Sequence, residues 1–138
     1  MTGRRVVLAD DLGSVLSAVA KLLEGSFEIA GTAANGRLAL EAVRASDPDV
    51  VVMDISMPEM SGIEVARELQ ARGCRSKIVF LTVHEDTDIL AACQEAGGLG
   101  YVVKVLMDTD LIPAMNAALG GRPFISCFPS QRSVLKSD

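Results

Sequence analysis

The segment Val50–Gly62, VVVMDISMPEMSG, is the most informative part of the chain. It begins with an apolar run, Val50–Met53, whose β-branched residues predict a buried strand. Asp54 follows directly, and a loop punctuated by proline and glycine comes after it. A carboxylate at the end of a buried strand is poor material for a core, but it is well placed to meet solvent and react. Asp54 is therefore the first candidate functional residue.

A second acidic pair repeats this pattern near the N-terminus. Asp10 and Asp11 follow the first apolar run, Arg5–Ala9. The carboxyl ends of parallel strands lie at the same edge of a sheet, where ligands bind. We therefore expect Asp10, Asp11 and Asp54 to form one acidic site.

Size and composition indicate one domain of 138 residues with a net charge of −5. This charge argues against a nucleic-acid interface, which needs clustered Lys and Arg. It suits Mg²⁺ or a cationic partner, and a solvated acidic surface explains it equally well. No apolar run approaches the ~18 residues of a membrane span, and no signal peptide precedes the first strand. The three cysteines lack metal-site spacing, which favours reduced thiols in a cytoplasmic protein.

Five short apolar runs alternate with stretches of helical spacing. This alternation predicts an α/β fold of βαβ units with a doubly wound, five-stranded parallel sheet. The central runs are continuously apolar, as a sheet covered on both faces requires. The predicted strands are 6–9, 28–31, 50–53, 78–81 and 101–103.

The C-terminal part is less regular. Pro113 disfavours a helix interior, so we expect the last helix to begin near Asp110, with the proline in its first turn. Residues 122–128 are typical of a short strand or an extended packing segment, and 129–138 of a linker or frayed tail. We therefore divide the chain into a domain at 4–121 and an extension at 122–138.

The predicted strand ends also bring Thr82 and Lys104 to the acidic edge. Two like charges ~5 Å apart repel by roughly 3 kcal/mol at an effective dielectric near 20, so the cluster needs a proton, a metal or a lysine partner. Mg²⁺ suits such oxygen ligands, and Lys104 adds positive charge. A carboxylate beside both is arranged for in-line attack on a phosphoryl group, within reach of the Thr82 hydroxyl. The acidic turn at Asp10 excludes the glycine-rich anion cradle of dinucleotide and flavin binders.

The chain resembles the receiver domains of bacterial two-component response regulators over about residues 4–121. The resemblance rests on five motifs in order: Asp10-Asp11, Asp54, the following Met-Pro-x-Met-x-Gly, Thr82, and Tyr101-x-x-Lys104. It implies the flavodoxin-like strand order 2-1-3-4-5, one of the two common arrangements of a doubly wound sheet. Three stretches are most similar to receivers that carry a C-terminal LuxR-type helix-turn-helix: 81–85, 100–104 and 120–124.

The resemblance implies a role for each matching residue. Asp54 would be the phosphoacceptor, and Lys104 would bind the phosphoryl group. Thr82 would move to hydrogen-bond a phosphoryl oxygen, and Tyr101 would rotate into the vacated space. Mg²⁺ would be held by carboxylates and one backbone carbonyl, those of Asp10, Asp11, Asp54 and Ser56.

Ser56 and His84 occupy the positions that tune phosphoryl lifetime in this family. Taken alone, His84 is more typical of an exposed loop residue. For Tyr101, a half-buried aromatic without a switch role is the alternative to the role that the resemblance implies. One departure from the family pattern concerns Val105, which stands where receivers commonly have a proline in a cis peptide. We expect either a trans peptide or strain there, since a cis non-proline bond costs ~3 kcal/mol.

The resemblance implies a phosphorylation switch in phosphorelay signalling, and not an enzyme beyond Mg²⁺-dependent phosphorylation and dephosphorylation of itself. Its partners would be a sensor histidine kinase, a second copy of the chain, and DNA only through a C-terminal domain absent from this sequence. Two alternatives remain: a stand-alone receiver, and an interaction module that takes no phosphate. A haloacid-dehalogenase-like phosphatase fits poorly, because its second acid two residues after the nucleophile is here Ser56.

Overall fold

The computed structural model describes residues 4–128, in which six strands and five helices alternate. The strands are β1 (Arg4–Ala9), β2 (Phe27–Ala33), β3 (Val50–Met53), β4 (Lys77–Thr82), β5 (Gly100–Val103) and β6 (Phe124–Ile125). The helices are α1 (Gly13–Leu23), α2 (Gly36–Ser46), α3 (Gly62–Ala71), α4 (Thr87–Glu95) and α5 (Met107–Leu119). The predicted tail at 129–138 lies outside the described residues.

All strand pairs are parallel, and the sheet order is β2-β1-β3-β4-β5-β6. The predicted α/β class and the order 2-1-3-4-5 are confirmed. The sheet has a sixth strand, because the chain after α5 returns to the free edge of β5, where Phe124 and Ile125 pair with Gly100 and Tyr101. The sequence leaves this segment open between a strand and extended packing.

Two apolar layers cover the sheet, because successive strand residues point to opposite faces. On one face, Val7, Val51 and Phe80 pack with residues of α2, α3 and α4. On the other, Leu8 and Val52 pack with residues of α1 and α5. The central strand β3 is buried along its whole length, as its continuous apolar run predicts. This burial holds the strand ends, and hence the candidate site, in a rigid frame.

The expected start of the last helix was wrong. A single 3-10 turn, Lys104–Leu106, runs directly into α5, which begins at Met107 and therefore encloses Pro113. The carbonyl that a residue-113 N–H would have reached belongs to Thr109, an exposed residue, where solvent can replace the missing bond. The helix thus tolerates the proline without starting later.

The Lys104–Val105 peptide is trans, since residues 4–128 contain no cis peptide bond. This is the first of the two geometries that the sequence leaves open.

Within the described part of the chain, no helix is long and apolar enough to cross a membrane.

Candidate functional site

The structure brings the three predicted aspartates together at the carboxyl edge of the sheet. Carboxylate oxygens of Asp10, Asp11 and Asp54 lie within 4.8 Å of one another. Backbone bonds fix two of them, since the Asp10 N–H donates to Ala33 O (3.0 Å) and the Asp54 N–H donates to Ala9 O (2.9 Å). Asp10 and Asp54 are buried, whereas Asp11 is exposed. The sheet ladder therefore forces like charges together.

Lys104 supplies the positive charge of this cluster. Its Nζ lies 2.8 Å from Asp10 Oδ2 and donates a hydrogen bond of 3.2 Å to Asp54 Oδ2. Burial alone lowers the Lys104 pKa, but the short contact with Asp10 and the negative charge of Asp54 outweigh burial and raise it. The ammonium is therefore charged at neutral pH and neutralises part of the acidic cluster.

Asp54 is held by both of its oxygens. Oδ2 accepts from Lys104, and Oδ1 accepts a 2.7 Å hydrogen bond from the N–H of Ile55. Its pKa is nevertheless raised above the ordinary 3.8, first by burial and then by the charge of Asp10, with Lys104 opposing both. A carboxylate whose charge is incompletely compensated is a good ligand for a further cation and a reactive nucleophile.

The donor set fits a hard divalent cation. Asp10 Oδ1 accepts from the N–H of Leu12 (2.9 Å), and the buried Oδ2 lies 2.8 Å from the Lys104 ammonium, so that a single cation faces three carboxylates. Mg²⁺ takes oxygen ligands, usually one or two carboxylates together with several waters, and the exposed Asp11 leaves one side of the cluster open to water. Asp10, Asp11 and Asp54 could therefore hold Mg²⁺.

Thr82 and Tyr101 are linked through the backbone of His84. Thr82 is fully buried, and its Oγ1 accepts from the N–H of His84 (3.1 Å). The Tyr101 hydroxyl donates to the carbonyl oxygen of His84 (2.9 Å). Burial is the main reason that the pKa of Tyr101 is raised above its ordinary value. The Tyr101 ring is only 1% exposed, which differs from the half-buried aromatic that the sequence also allows.

Ser56 and His84 meet across two loops. Ser56 Oγ lies 3.0 Å from His84 Nε2, which joins the loop after β3 to the loop after β4. The predicted modulatory pair is thus in hydrogen-bonding contact, next to the candidate phosphoacceptor. His84 is partly buried, so its placement is not that of a freely exposed loop residue.

Two residues at this site were missed by sequence reasoning. Phe128 lies against Tyr101, with ring centroids 5.8 Å apart, and Ser126 donates a hydrogen bond to Asp110. The alternation in Phe124-Ile125-Ser126 is too short a signal for their partners to be predicted.

The family model for the response regulator receiver domain matches residues 6–116. The transcriptional regulatory protein PdtaR of Mycobacterium tuberculosis is 36% identical over 117 residues, which cover 84% of this chain and 57% of PdtaR. The chain therefore spans little more than half the length of that relative. The chemotaxis protein CheY of Thermotoga maritima is 30% identical, with 83% of this chain and 96% of CheY covered.

The fold is also similar to that of solved structures. A LuxR-family two-component response regulator from Aurantimonas has a TM-score of 0.87 and 29% identity, with 99% of both chains covered. This structure matches the subgroup that the sequence resembles.

Proposed function

Because the chain belongs to the response regulator receiver domain family of two-component systems, we propose that Asp54 is its phosphoacceptor. The observation that carries this proposal is the position of Asp54, whose carboxylate touches Lys104 and lies within 4.8 Å of the Asp10 and Asp11 carboxylate oxygens. A structural role alone does not explain like charges gathered at the end of a buried strand.

The proposed reaction is phosphoryl transfer from a phosphohistidine of a sensor kinase. A carboxylate oxygen of Asp54 attacks phosphorus in line with the leaving imidazole. The O–P bond forms as the P–N bond breaks, and the imidazole nitrogen keeps the electron pair and takes a proton from solvent. Lys104 neutralises charge on the transferring group and stays beside the acyl phosphate formed on Asp54.

Mg²⁺ is the proposed cofactor. The carboxylates of Asp10, Asp11 and Asp54, together with the backbone carbonyl of Ser56, would hold it. When bound, it would neutralise the phosphoryl oxygens and the acidic cluster together. The excess of three clustered carboxylates over the single Lys104 ammonium supports this assignment.

Thr82 and Tyr101 are the proposed switch residues. A phosphoryl group on Asp54 would draw the Thr82 hydroxyl toward it and away from the N–H of His84. The Tyr101 hydroxyl donates a hydrogen bond to the carbonyl of the same His84. The movement of Thr82 would therefore reach the face formed by α4, β5 and α5. Because Tyr101 is buried, its ring would reorient within the core.

The proposed output is control of transcription, through homodimerisation and a DNA-binding domain beyond this chain. PdtaR is named as a transcriptional regulator, and the Aurantimonas protein as a LuxR-family regulator. The alternative is a stand-alone receiver, which is favoured by the 96% coverage of CheY. A cytoplasmic location stays a prediction. Light scattering with and without phosphodonor tests dimerisation of this chain.

Intact mass after incubation with acetyl phosphate and Mg²⁺ tests the proposed chemistry. We expect a gain of about 80 Da, the mass of one phosphoryl group, that requires Mg²⁺ and is lost in Asp54→Ala. Asp108→Ala is the matched control, because it removes an exposed aspartate in the first turn of α5. An adduct that persists in Asp54→Ala, or none with several phosphodonors, would contradict the proposal.

A further inference from the structure

The segment Phe124–Phe128, here called the strap, lies along the free edge of β5. The N–H of Phe124 donates to Leu99 O (3.0 Å), and the N–H of Ser126 donates to Tyr101 O (2.8 Å). The strap thus satisfies backbone groups that an edge strand would otherwise present to solvent or to another chain. The second of these hydrogen bonds joins the strap to Tyr101, the proposed switch residue.

Ser126 locks the strap to two elements. Its side chain is buried, and its Oγ donates to Asp110 Oδ2 (2.7 Å) while it accepts from the N–H of Val103 (3.2 Å). The hydroxyl therefore joins β5 to α5. Release of the strap would leave the N–H of Val103 and the Asp110 carboxylate to find other partners, which makes docking specific.

Phe128 covers the Tyr101 ring. Phe128 is 4% exposed and Tyr101 is 1% exposed, with ring centroids 5.8 Å apart and planes at 48°. The far end of Tyr101 is bonded to His84 O, and the His84 N–H is bonded to Thr82 Oγ1. A continuous set of contacts therefore runs from Thr82 through His84 and Tyr101 to Phe128.

We propose that the strap and the Tyr101 side chain move as one unit. A change in the position of Tyr101 would then also move the strap, to which the chain after Phe128 is attached. Phe128 is buried against an inward Tyr101, and the Tyr101 ring lies beneath the docked Phe128, so displacing either side chain would expose the other. Such coupling is reciprocal, since whatever releases one partner must release the other to the same extent. The connection to Asp54 rests on the proposed function, whereas the coupling itself does not.

The composition provides a direct probe, because Tyr101 is the one tyrosine and the chain has no tryptophan. Tyrosine fluorescence therefore reports on Tyr101 alone. We expect Phe128→Ala and the milder Phe128→Leu to raise acrylamide quenching, the former at least about twofold, because they uncover the ring. Ile125→Ala is the matched control, because Ile125 lies in the strap but is 44% exposed. Quenching that stays at the wild-type level in both Phe128 variants overturns the proposal.

Hydrogen exchange tests the reverse direction. In Tyr101→Ala, the amides of Phe124 and Ser126 are expected to exchange about tenfold faster, while those of β1 and β3 keep their wild-type rates. Ser126→Ala should likewise raise the quenching of Tyr101, through the lost bonds to Val103 and Asp110. Unchanged strap exchange in Tyr101→Ala would show that the two parts move independently.

Acetyl phosphate with Mg²⁺ separates this proposal from the proposed function. In wild type carrying the mass adduct, Tyr101 quenching and strap exchange should change together and in the same sense, and Asp54→Ala should show neither change. An adduct that leaves strap exchange unchanged overturns the coupling and leaves Asp54 as phosphoacceptor. If no adduct forms, the proposed function fails, and the variants still decide whether Tyr101 and the strap are coupled.

Discussion

The ammonium of Lys104 lies 3.2 Å from Oδ2 of Asp54, although β4 separates the strands that these two residues follow. The same Nζ lies 2.8 Å from Oδ2 of Asp10, which follows β1. A long aliphatic stem thus lets one lysine reach across the carboxyl edge and hold three strand ends. Its 13% side-chain exposure means that solvent screens these charges poorly.

Replacement of Lys104 by methionine should therefore affect both stability and phosphorylation. Loss of the cation leaves two buried carboxylates unpaired, and the free energy of unfolding without Mg²⁺ should fall by about 3 kcal/mol. Part of this loss should return when Mg²⁺ is added, because ligand binding favours the folded state. Urea unfolding with and without Mg²⁺ measures both effects.

The matched control is Lys77→Met, which removes a lysine from the start of β4, at the opposite edge of the sheet. We expect phosphorylation by acetyl phosphate to be at least about tenfold slower in Lys104→Met and unchanged in the control. Equal rates in the two variants would remove Lys104 from the proposed site.

The raised pKa of Asp54 predicts a pH-dependent gain in stability for Asp54→Asn. Burial and the charge of Asp10 raise this pKa in the folded state above the ordinary 3.8, so the folded protein binds the proton more tightly than the unfolded chain. The favourable contribution of Asp54 is therefore complete below 3.8 and is lost as the pH rises through the folded-state pKa.

At neutral pH the charged Asp54 thus opposes folding, and its neutral replacement should raise the free energy of unfolding by about 0.5–2 kcal/mol without Mg²⁺. The gain should shrink as the pH is lowered toward 3.8. Urea titrations at several pH values test this, with Asp108→Asn as the control for an exposed carboxylate. A gain that grows on acidification would contradict the assigned direction of the pKa shift.

The clustering of the residues at the strand ends could be predicted from the sequence, because a parallel sheet places the carboxyl ends of all its strands at one edge. Once Val50–Met53 and the other apolar runs are taken as parallel strands, the residues that follow them must share one edge. Asp10, Asp54 and Lys104 therefore meet without any signal specific to their pairing. The strand order also followed from the family resemblance, and it is confirmed.

The features that the sequence did not predict depend on contacts between distant parts of the chain. Tyr101 packs against Phe128, and Ser126 is hydrogen-bonded to Asp110, and neither pairing leaves a periodic pattern in the sequence. The early start of α5 was missed for a related reason, since a 3-10 turn carries the chain straight into the helix ahead of Pro113. Local propensity could not reveal either feature.

Gly62 is predicted to be required for the close packing of α3 against the backbone of Asp54. A Cβ at this position would lie 2.1 Å from the backbone oxygen of Asp54, and the Gly62 N–H donates to Ile55 O at 2.7 Å. Gly62→Ala must therefore push α3 or the Asp54 backbone aside, and should lower the free energy of unfolding by about 1–3 kcal/mol. Phosphorylation should slow as well, because Asp54 itself would shift.

Gly13 provides the matched control, since it also begins a helix but has open space where a Cβ would lie. Gly13→Ala should stabilise the protein by about 0.4–1 kcal/mol, through the reduced entropy of the unfolded chain. Thermal unfolding of both variants measures the difference. Similar effects of the two substitutions would mean that the close approach at Gly62 is not maintained in solution.

The Ser56–His84 contact predicts that these two residues affect phosphoryl lifetime as a pair. Their 3.0 Å hydrogen bond joins the loop that contains Asp54 to the loop after β4. We expect this link to restrict the approach of water to an acyl phosphate on Asp54. A net worth of ~1 kcal/mol for such a bond corresponds to roughly fivefold in rate. We therefore expect Ser56→Ala and His84→Ala each to shorten the lifetime of the phosphoryl group by about that factor.

A double-mutant cycle distinguishes this bridge from two independent effects. If the hydrogen bond is what excludes water, the double variant should lose the phosphoryl group no faster than either single variant, because the bond can be broken only once. Decay of the mass adduct after removal of acetyl phosphate measures each lifetime. Multiplied effects in the double variant would mean that Ser56 and His84 act on Asp54 separately, and the contact between the loops would then have no part in the rate.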